Sequence, residues 1–343
     1  IEERASVATV FERINRQKVD LTTFDLLTVW NWSEEFDLKE KFKELSEEIE
    51  DYGLGKVNND LLLSCCSAVL NSSANPEYFH KLPGELLRTR LDEVRNGVIG
   101  AIEFLKKDLK VFSLEQLPRN NVLVVLSSFF ASSQKQSSPK PEKQYKVIKQ
   151  WFWRLCFSSK YKKGGTTITN RDLKEIGRLK EGKENQLANI DPDLLDENYF
   201  LKNNFQYKTI AKSTFILMLA NNNPLNFIQG TEIEKQKDKV LSSANKNEYH
   251  HIFPKAYLKA KNYDDKKRNC LANICMQSRT DNNKLGGRAP SDYRSEMPED
   301  TEVLEKILKS HFCFEEMFND DYDAFLQKRA KLLVEKAKEL AGL

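Results

Sequence analysis

The chain has 343 residues, of which 40% are hydrophobic, 10% aromatic and 31% charged. That length suits two or three domains, and the composition is too rich in aromatics for disorder over most of it. The 54 Lys and Arg against 51 Asp and Glu leave a net charge of +3, which excludes a uniformly basic protein, and the longest apolar stretch, Val122 to Ala131 with Ser127 and Ser128 inside it, falls far below the roughly 20 residues of a membrane-spanning helix.

The N-terminus reads Ile1-Glu2-Glu3-Arg4, without the basic start, apolar core and cleavage site of a secretory signal and without an initiating Met. The expectation is a processed chain or one that begins inside a longer protein. Apolar positions at three- and four-residue spacing predict helices over Leu21 to Trp32, Leu38 to Tyr52, Asn58 to Leu70 and Leu86 to Val111, punctuated by Pro76 and Pro83-Gly84. In the second of these the stripe is Phe42, Leu45, Ile49 and Tyr52. A helix from Val122 to Phe130 follows, and the polar, Pro/Ser-rich Ala131 to Lys143 reads as an exposed loop or linker.

Helical periodicity returns over Tyr145 to Phe157, breaks at Lys162-Lys163-Gly164-Gly165, and resumes over Asn170 to Leu179 with Asn170 as the expected N-cap. Trp151-Phe152-Trp153 reads as helix core in preference to a base-stacking platform. Ile210 to Leu219 is apolar and is halted by Asn221-Asn222-Asn223-Pro224. Near the end, Glu302 to Leu308 and Tyr322 to Leu340 again have helical spacing, the latter with Phe325, Leu332, Leu333 and Leu340 on one side. The fold class expected is therefore mainly α, in three segments: 1–131, 144–228 and 229–343. Gly164-Gly165-Thr166-Thr167 lacks the lysine and second glycine of a phosphate loop. The six cysteines at 65, 66, 156, 270, 275 and 313 contain no Cys-x-x-Cys pair and read as buried free thiols in a reducing, cytoplasmic setting.

The near-neutral total hides a segregation of charge. Lys235 to Arg294 holds fourteen basic against six acidic residues, a local net of +8, and Ser295 to Leu343 holds seven against twelve, a net of −5. A basic segment points to a polyanion, its plain alternative being a solvated face. The acidic tail is then expected to act as an electrostatic cover or counterweight.

Two of the four histidines lie side by side in the basic segment: Tyr249-His250-His251-Ile252-Phe253-Pro254-Lys255. On an extended segment, neighbours point to opposite faces and can hold different jobs. Phosphodiester hydrolysis needs a base for the attacking water, which an imidazole can supply near neutral pH, and stabilisation of the charge gathering at phosphorus. A hard divalent cation asks for few protein ligands, because it keeps several waters and takes phosphate oxygens. His80 and His311 stand alone and read as structural.

With Leu271-Ala272-Asn273-Ile274 and Asn282 nine positions beyond Asn273, the run His250-His251-Ile252-Phe253-Pro254 resembles the HNH, or His-Me finger, nuclease signature. More narrowly it is similar to the C-terminal nuclease domain of the GmrSD-like modification-dependent restriction and phage-defence family, whose pattern Pro290-Ser291-Asp292-Tyr293 also fits. Upstream, Val10-Phe11-Glu12-Arg13-Ile14-Asn15, Leu21-Thr22 and Phe24-Asp25-Leu26-Leu27 resemble the later part of that family's ParB-like nucleotide-sensing domain. Trp151-Phe152-Trp153-Arg154 with Ser158-Ser159-Lys160-Tyr161 resembles its linking helical region.

The resemblance implies a small C-terminal ββα-metal unit on a helical body, and metal-dependent cleavage of DNA in bacterial restriction or anti-phage defence. By position, His251 is the general base, Asn273 orients it through the hairpin, and His250 and Asn282 hold the divalent metal, Mg²⁺ or Mn²⁺. Asn283 competes with Asn282, the spacing favouring Asn282. Lys255, Arg279, Lys284 and Arg288 are the expected phosphate contacts. The family's Asp-Gly-Gln-Gln-Arg motif would precede Phe11 and is missing, so a nucleotide effector belongs to a missing N-terminal segment. Two other readings stand beside the nuclease: a DNA-binding or regulatory module with a silent site, and a helical protein-interaction scaffold.

Overall fold

A computed structural model describes residues 24, 25, 28, 37–75, 84–133, 141–159, 165–233 and 249–343. Outside them lie Val10 to Asn15, all but Phe24, Asp25 and Thr28 of the expected helix from Leu21 to Trp32, His80, Lys160-Tyr161, and the basic residues from Lys235 to Lys246. The architecture is mainly helical. The chain forms two compact units that interleave in sequence: residues 1–107, 119–147 and 160–187 in the first, and 108–118, 148–159 and 188–343 in the second.

In the first unit, α1 (Leu38–Asp51) starts at Asp37, whose carboxylate accepts from the amides of Lys39 and Glu40 at 2.8 and 3.3 Å. Its buried stripe is Leu38, Phe42, Leu45 and Ile49; of the expected stripe only Tyr52 differs, being the C-cap residue and partly exposed. Asn58 caps α2 (Asn59–Asn71) through the Leu61 amide at 2.9 Å. In α3 (Gly84–Leu109), Gly97 allows a close approach to α4 (Asn121–Phe130): a Cβ there would stand 2.4 Å from the Ser127 carbonyl oxygen. The linker expected after α4 is followed by α5 (Glu142–Cys156).

Helix α6 (Thr166–Lys180) begins four residues earlier than expected, with Gly165 at its cap position and no side-chain cap. Asn170 is therefore not a cap. It lies inside the helix and accepts from the Ala74 amide at 2.7 Å, tying α6 to the end of α2. A long-range partner has outcompeted the local capping role, which a sequence window does not register.

In the second unit, α5 from Ile148 onward buries Trp151, Phe152 and Trp153, so the aromatic run is core. Helix α7 (Glu197–Lys202), which periodicity does not reveal because it has under two turns, precedes α8 (Ile210–Asn221). Strand β1 (Tyr249–His251) pairs antiparallel with β2 (Ile274–Met276) in the register Tyr249 to Met276, His250 to Cys275 and His251 to Ile274. Between them run α9 (Lys255–Ala260), α10 (Asp265–Arg268) and a 3-10 turn over Leu271–Asn273. Beyond β2 come α11 (Arg279–Leu285), capped by Ser278, then α12 (Pro290–Tyr293), α13 (Thr301–Ser310) and α14 (Tyr322–Ala341).

Helix α14 packs on α7 and on the 3-10 turn. Its inner face is Tyr322, Phe325, Leu326, Arg329, Ala330, Leu333, Val334, Ala337 and Ala341, while Leu332 and Leu340 are only partly covered. Of the expected stripe, Phe325 and Leu333 are buried and Leu332 and Leu340 are not, because small alanines and one arginine carry the rest of the contact face. All six cysteines are buried and unbridged. Among the described residues no helix is long and apolar enough to cross a membrane.

Candidate functional site

Both adjacent histidines sit on β1 and both are partly buried. Three-residue strands are marginal by themselves, and the chain around this pair is held by side chains. The buried Asn273 amide accepts from the Phe253 amide at 3.0 Å and donates to the carbonyls of Phe253 at 3.0 Å and Arg268 at 2.9 Å. It thereby pins the backbone two residues past His251. The Tyr293 hydroxyl, from α12, donates to the Ile252 carbonyl at 3.0 Å.

A third clamp comes from α14. Arg329 is wholly buried, and its guanidinium donates to the carbonyls of Ala272 at 2.7 Å, Ile274 at 2.8 Å and His311 at 2.9 and 3.1 Å. Sequence reasoning missed it, since its only local sign is a charge at an inward position of an amphipathic helix.

The imidazole of His251 has a partner that sequence reasoning also missed. Its Nε2 lies 3.1 Å from Oδ1 of Asn269, a fully buried residue at the end of α10. Asn269 follows Lys266-Lys267-Arg268 in sequence and is 18 positions from His251, so no spacing rule connects the two. Burial pushes the His251 imidazole down to about 4; the charges of Lys255 and His250 add to this, while the Asn269 hydrogen bond and Asp265 oppose it. The ring is accordingly neutral at pH 7, with a weaker hold on a proton than a free imidazole.

Each expected site residue has a definite place. His250 and His251 are consecutive on β1, Asn273 is one residue before β2, and Asn282 and Asn283 are on α11. Asn282 is partly buried and Asn283 exposed; the helical step of about 100° between them means only one can face a given point. Lys255 opens α9 and is near enough to depress His251. Arg279 and Lys284 are exposed on α11. Arg288 is already engaged: it donates to the carbonyls of Leu285 at 3.0 Å and Lys284 at 2.6 Å and pairs with Glu296 at 3.2 Å. That leaves it less free for a phosphate than the sequence implies.

The acidic tail does reach basic residues of the preceding segment, in the pairs Lys267 with Asp323 and Arg288 with Glu296. His311 is fully buried, donates from Nε2 to the Leu225 carbonyl at 2.7 Å, and lies edge-on to Phe227 at 4.8 Å between centroids. Among the described residues, no three His, Cys, Asp or Glu side chains gather as a metal cage. One imidazole and one amide, the pair the resemblance supplies, would not form such a group.

No family model matches the chain. It is 24% identical, over 97% of its length, to an uncharacterized protein of the archaeon Methanocaldococcus jannaschii, and it spans 62% of that relative's length.

Proposed function

We propose that the second unit carries a metal-dependent DNA endonuclease of the HNH, or His-Me finger, kind, serving restriction or anti-phage defence. The observation that carries this reading is a partly buried His251 on a short antiparallel strand pair, its ring held by Asn269, with Asn273 stapling the chain just past it and α11 following β2. The order of β1, β2 and α11 suits a ββα-metal unit. His251 accepts the proton of a water as the water oxygen bonds to phosphorus and the phosphorus–oxygen bond to the leaving group breaks. His250 and Asn282 would hold a divalent cation. An imidazole and an amide oxygen fit a hard ion that keeps several waters, and such an ion supplies charge stabilisation at the phosphate when bound. Lys255, Arg279 and Lys284 attract the DNA backbone.

The test is plasmid cleavage with Mg²⁺ or Mn²⁺, using modified and unmodified DNA. His251→Ala is expected to lower the rate by about 10²–10⁴-fold while DNA binding and the circular dichroism spectrum persist; undiminished cleavage overturns the assignment. A second reading, a DNA-binding or regulatory module with a silent site, draws support from Lys267 and Arg288 being engaged by tail carboxylates. Salt-sensitive binding that never yields nicked or linear product would favour it.

A further inference from the structure

We propose that Asn269 is a positioning residue that fixes the tautomer of His251, placing the proton on Nε2 and leaving Nδ1 as the atom that accepts a proton. This rests on the reading of His251 as a base. Asp265 lies one turn before Asn269. The Asn269 Nδ2 donates to the Asp265 carbonyl oxygen at 2.8 Å and to the Asp265 carboxylate at 3.0 Å. Both are acceptors, so the amide nitrogen must be on their side. Turning the amide over would set its oxygen against two other oxygens and forfeit both bonds.

The other end of the amide is then settled. Asn269 Oδ1 faces His251 Nε2 at 3.1 Å, and an oxygen with no hydrogen requires Nε2 to be the donor. A neutral imidazole has one N–H, so Nδ1 keeps its lone pair. Asn269 is itself fixed at both backbone ends: its carbonyl accepts from the Phe205 amide at 2.8 Å and its amide donates to the Asp265 carbonyl at 3.1 Å. Asp265 is held in turn by Arg268, 3.2 Å away. The relay Asp265, Asn269, His251 is therefore a chain of orientations in which each member determines the next. Asn273 holds the backbone beneath the ring, whereas Asn269 determines which ring nitrogen is basic.

The experiment is ¹⁵N–¹H correlation of the histidine rings of the full chain at neutral pH without added metal, in wild type, Asn269→Leu and Asn269→Asp combined with Asp265→Asn, alongside Mn²⁺-dependent plasmid cleavage by the same proteins. Wild type is expected to show His251 with a pyrrole-type Nε2 and a pyridine-type Nδ1. Asn269→Leu should give a tautomer mixture and a kcat at least ten-fold lower with KM little changed, while the His311 signals stay in place as a check on the fold. Asn269→Asp, made together with Asp265→Asn so that its second oxygen meets a side-chain donor, should recover the Nε2–H form and part of the rate. A wild-type ring protonated on Nδ1 overturns the inference, and the measurement needs no variant to fold. A wild-type ring in the expected tautomer on a protein that never cuts DNA overturns the nuclease reading instead and leaves the tautomer assignment standing.

Discussion

Acidification below about pH 6.5 should destabilise the second unit through His311, before most carboxylates titrate. Burial is the main cause of its lowered affinity for a proton; the Leu225 carbonyl works against this and the neighbouring Arg329 charge adds to it, and the result is about 3. In the unfolded chain the same ring titrates near 6.5. Between those values the unfolded state binds the extra proton, so stability rises with pH across the window, is complete above about 6.5, and is lost as pH falls. The ratio of protonation polynomials gives a loss of about 2 kcal/mol at pH 5, and roughly 4 to 5 kcal/mol once pH passes below the folded value. Hydrogen exchange of α14 peptides, corrected for intrinsic rates, reads the opening free energy of this unit at pH 7.5 and pH 5. His311→Gln retains a donor for the Leu225 carbonyl and removes the titration. Contributions from carboxylates and from His251 are common to both proteins, so the difference in pH dependence isolates His311. Equal losses of free energy on acidification in wild type and His311→Gln would show that His311 does not set the pH dependence.

Two further outcomes are expected. Arg329→Met leaves the buried carbonyls of Ala272, Ile274 and His311 without their donors and should cost about 3 kcal/mol or more; a melting temperature equal to wild type would show that the clamp carries no stability. Neutralising the tail contacts with Asp323→Asn and Glu296→Gln should free Lys267 and Arg288, tighten DNA binding at low salt, and steepen the slope of log K against log salt by up to about 2, near 0.9 for each freed cation. Unchanged affinity and slope would reduce the tail to a solvated surface, and little change in melting temperature is expected either way because the pairs are exposed.

The helices were legible wherever burial follows a regular stripe, as in Phe42, Leu45 and Ile49 of α1. A helix boundary is not legible where a long-range partner decides. Asn170 has every local property of a cap, but its oxygen is used by Ala74 nearly a hundred residues away. The same limit shaped the reading of the candidate site. His250, His251, Asn273 and Asn282 stand out because the residue types recur at a spacing. Asn269 and Arg329 do not, because their roles consist of the acceptors that tertiary folding brings to them: an imidazole in one case and three carbonyls in the other. In a helix with small alanines on its inner face, the only hint of Arg329 is a charge where a leucine would fit.

The contributions of α14 to the candidate site have opposite chemical characters and must be separated to be understood. Its outer surface offers Asp323 to Lys267, an exposed pair that can be lost without disturbing the interior. Its inner surface sends Arg329 to Ile274, the register partner of His251, and to Ala272 beside Asn273. Removing the tail would abolish both at once. Loss of cleavage after such a truncation would then reflect a loosened strand pair, even if the acidic residues had been restraining DNA binding all along. A base must stand within hydrogen-bond reach of the water it activates, and strands of three residues do not hold such a position by themselves. The electrostatic role of the tail is therefore visible only in point substitutions that spare Arg329, and in those the two effects should part: affinity for DNA rises while the opening free energy of β2 stays where it was.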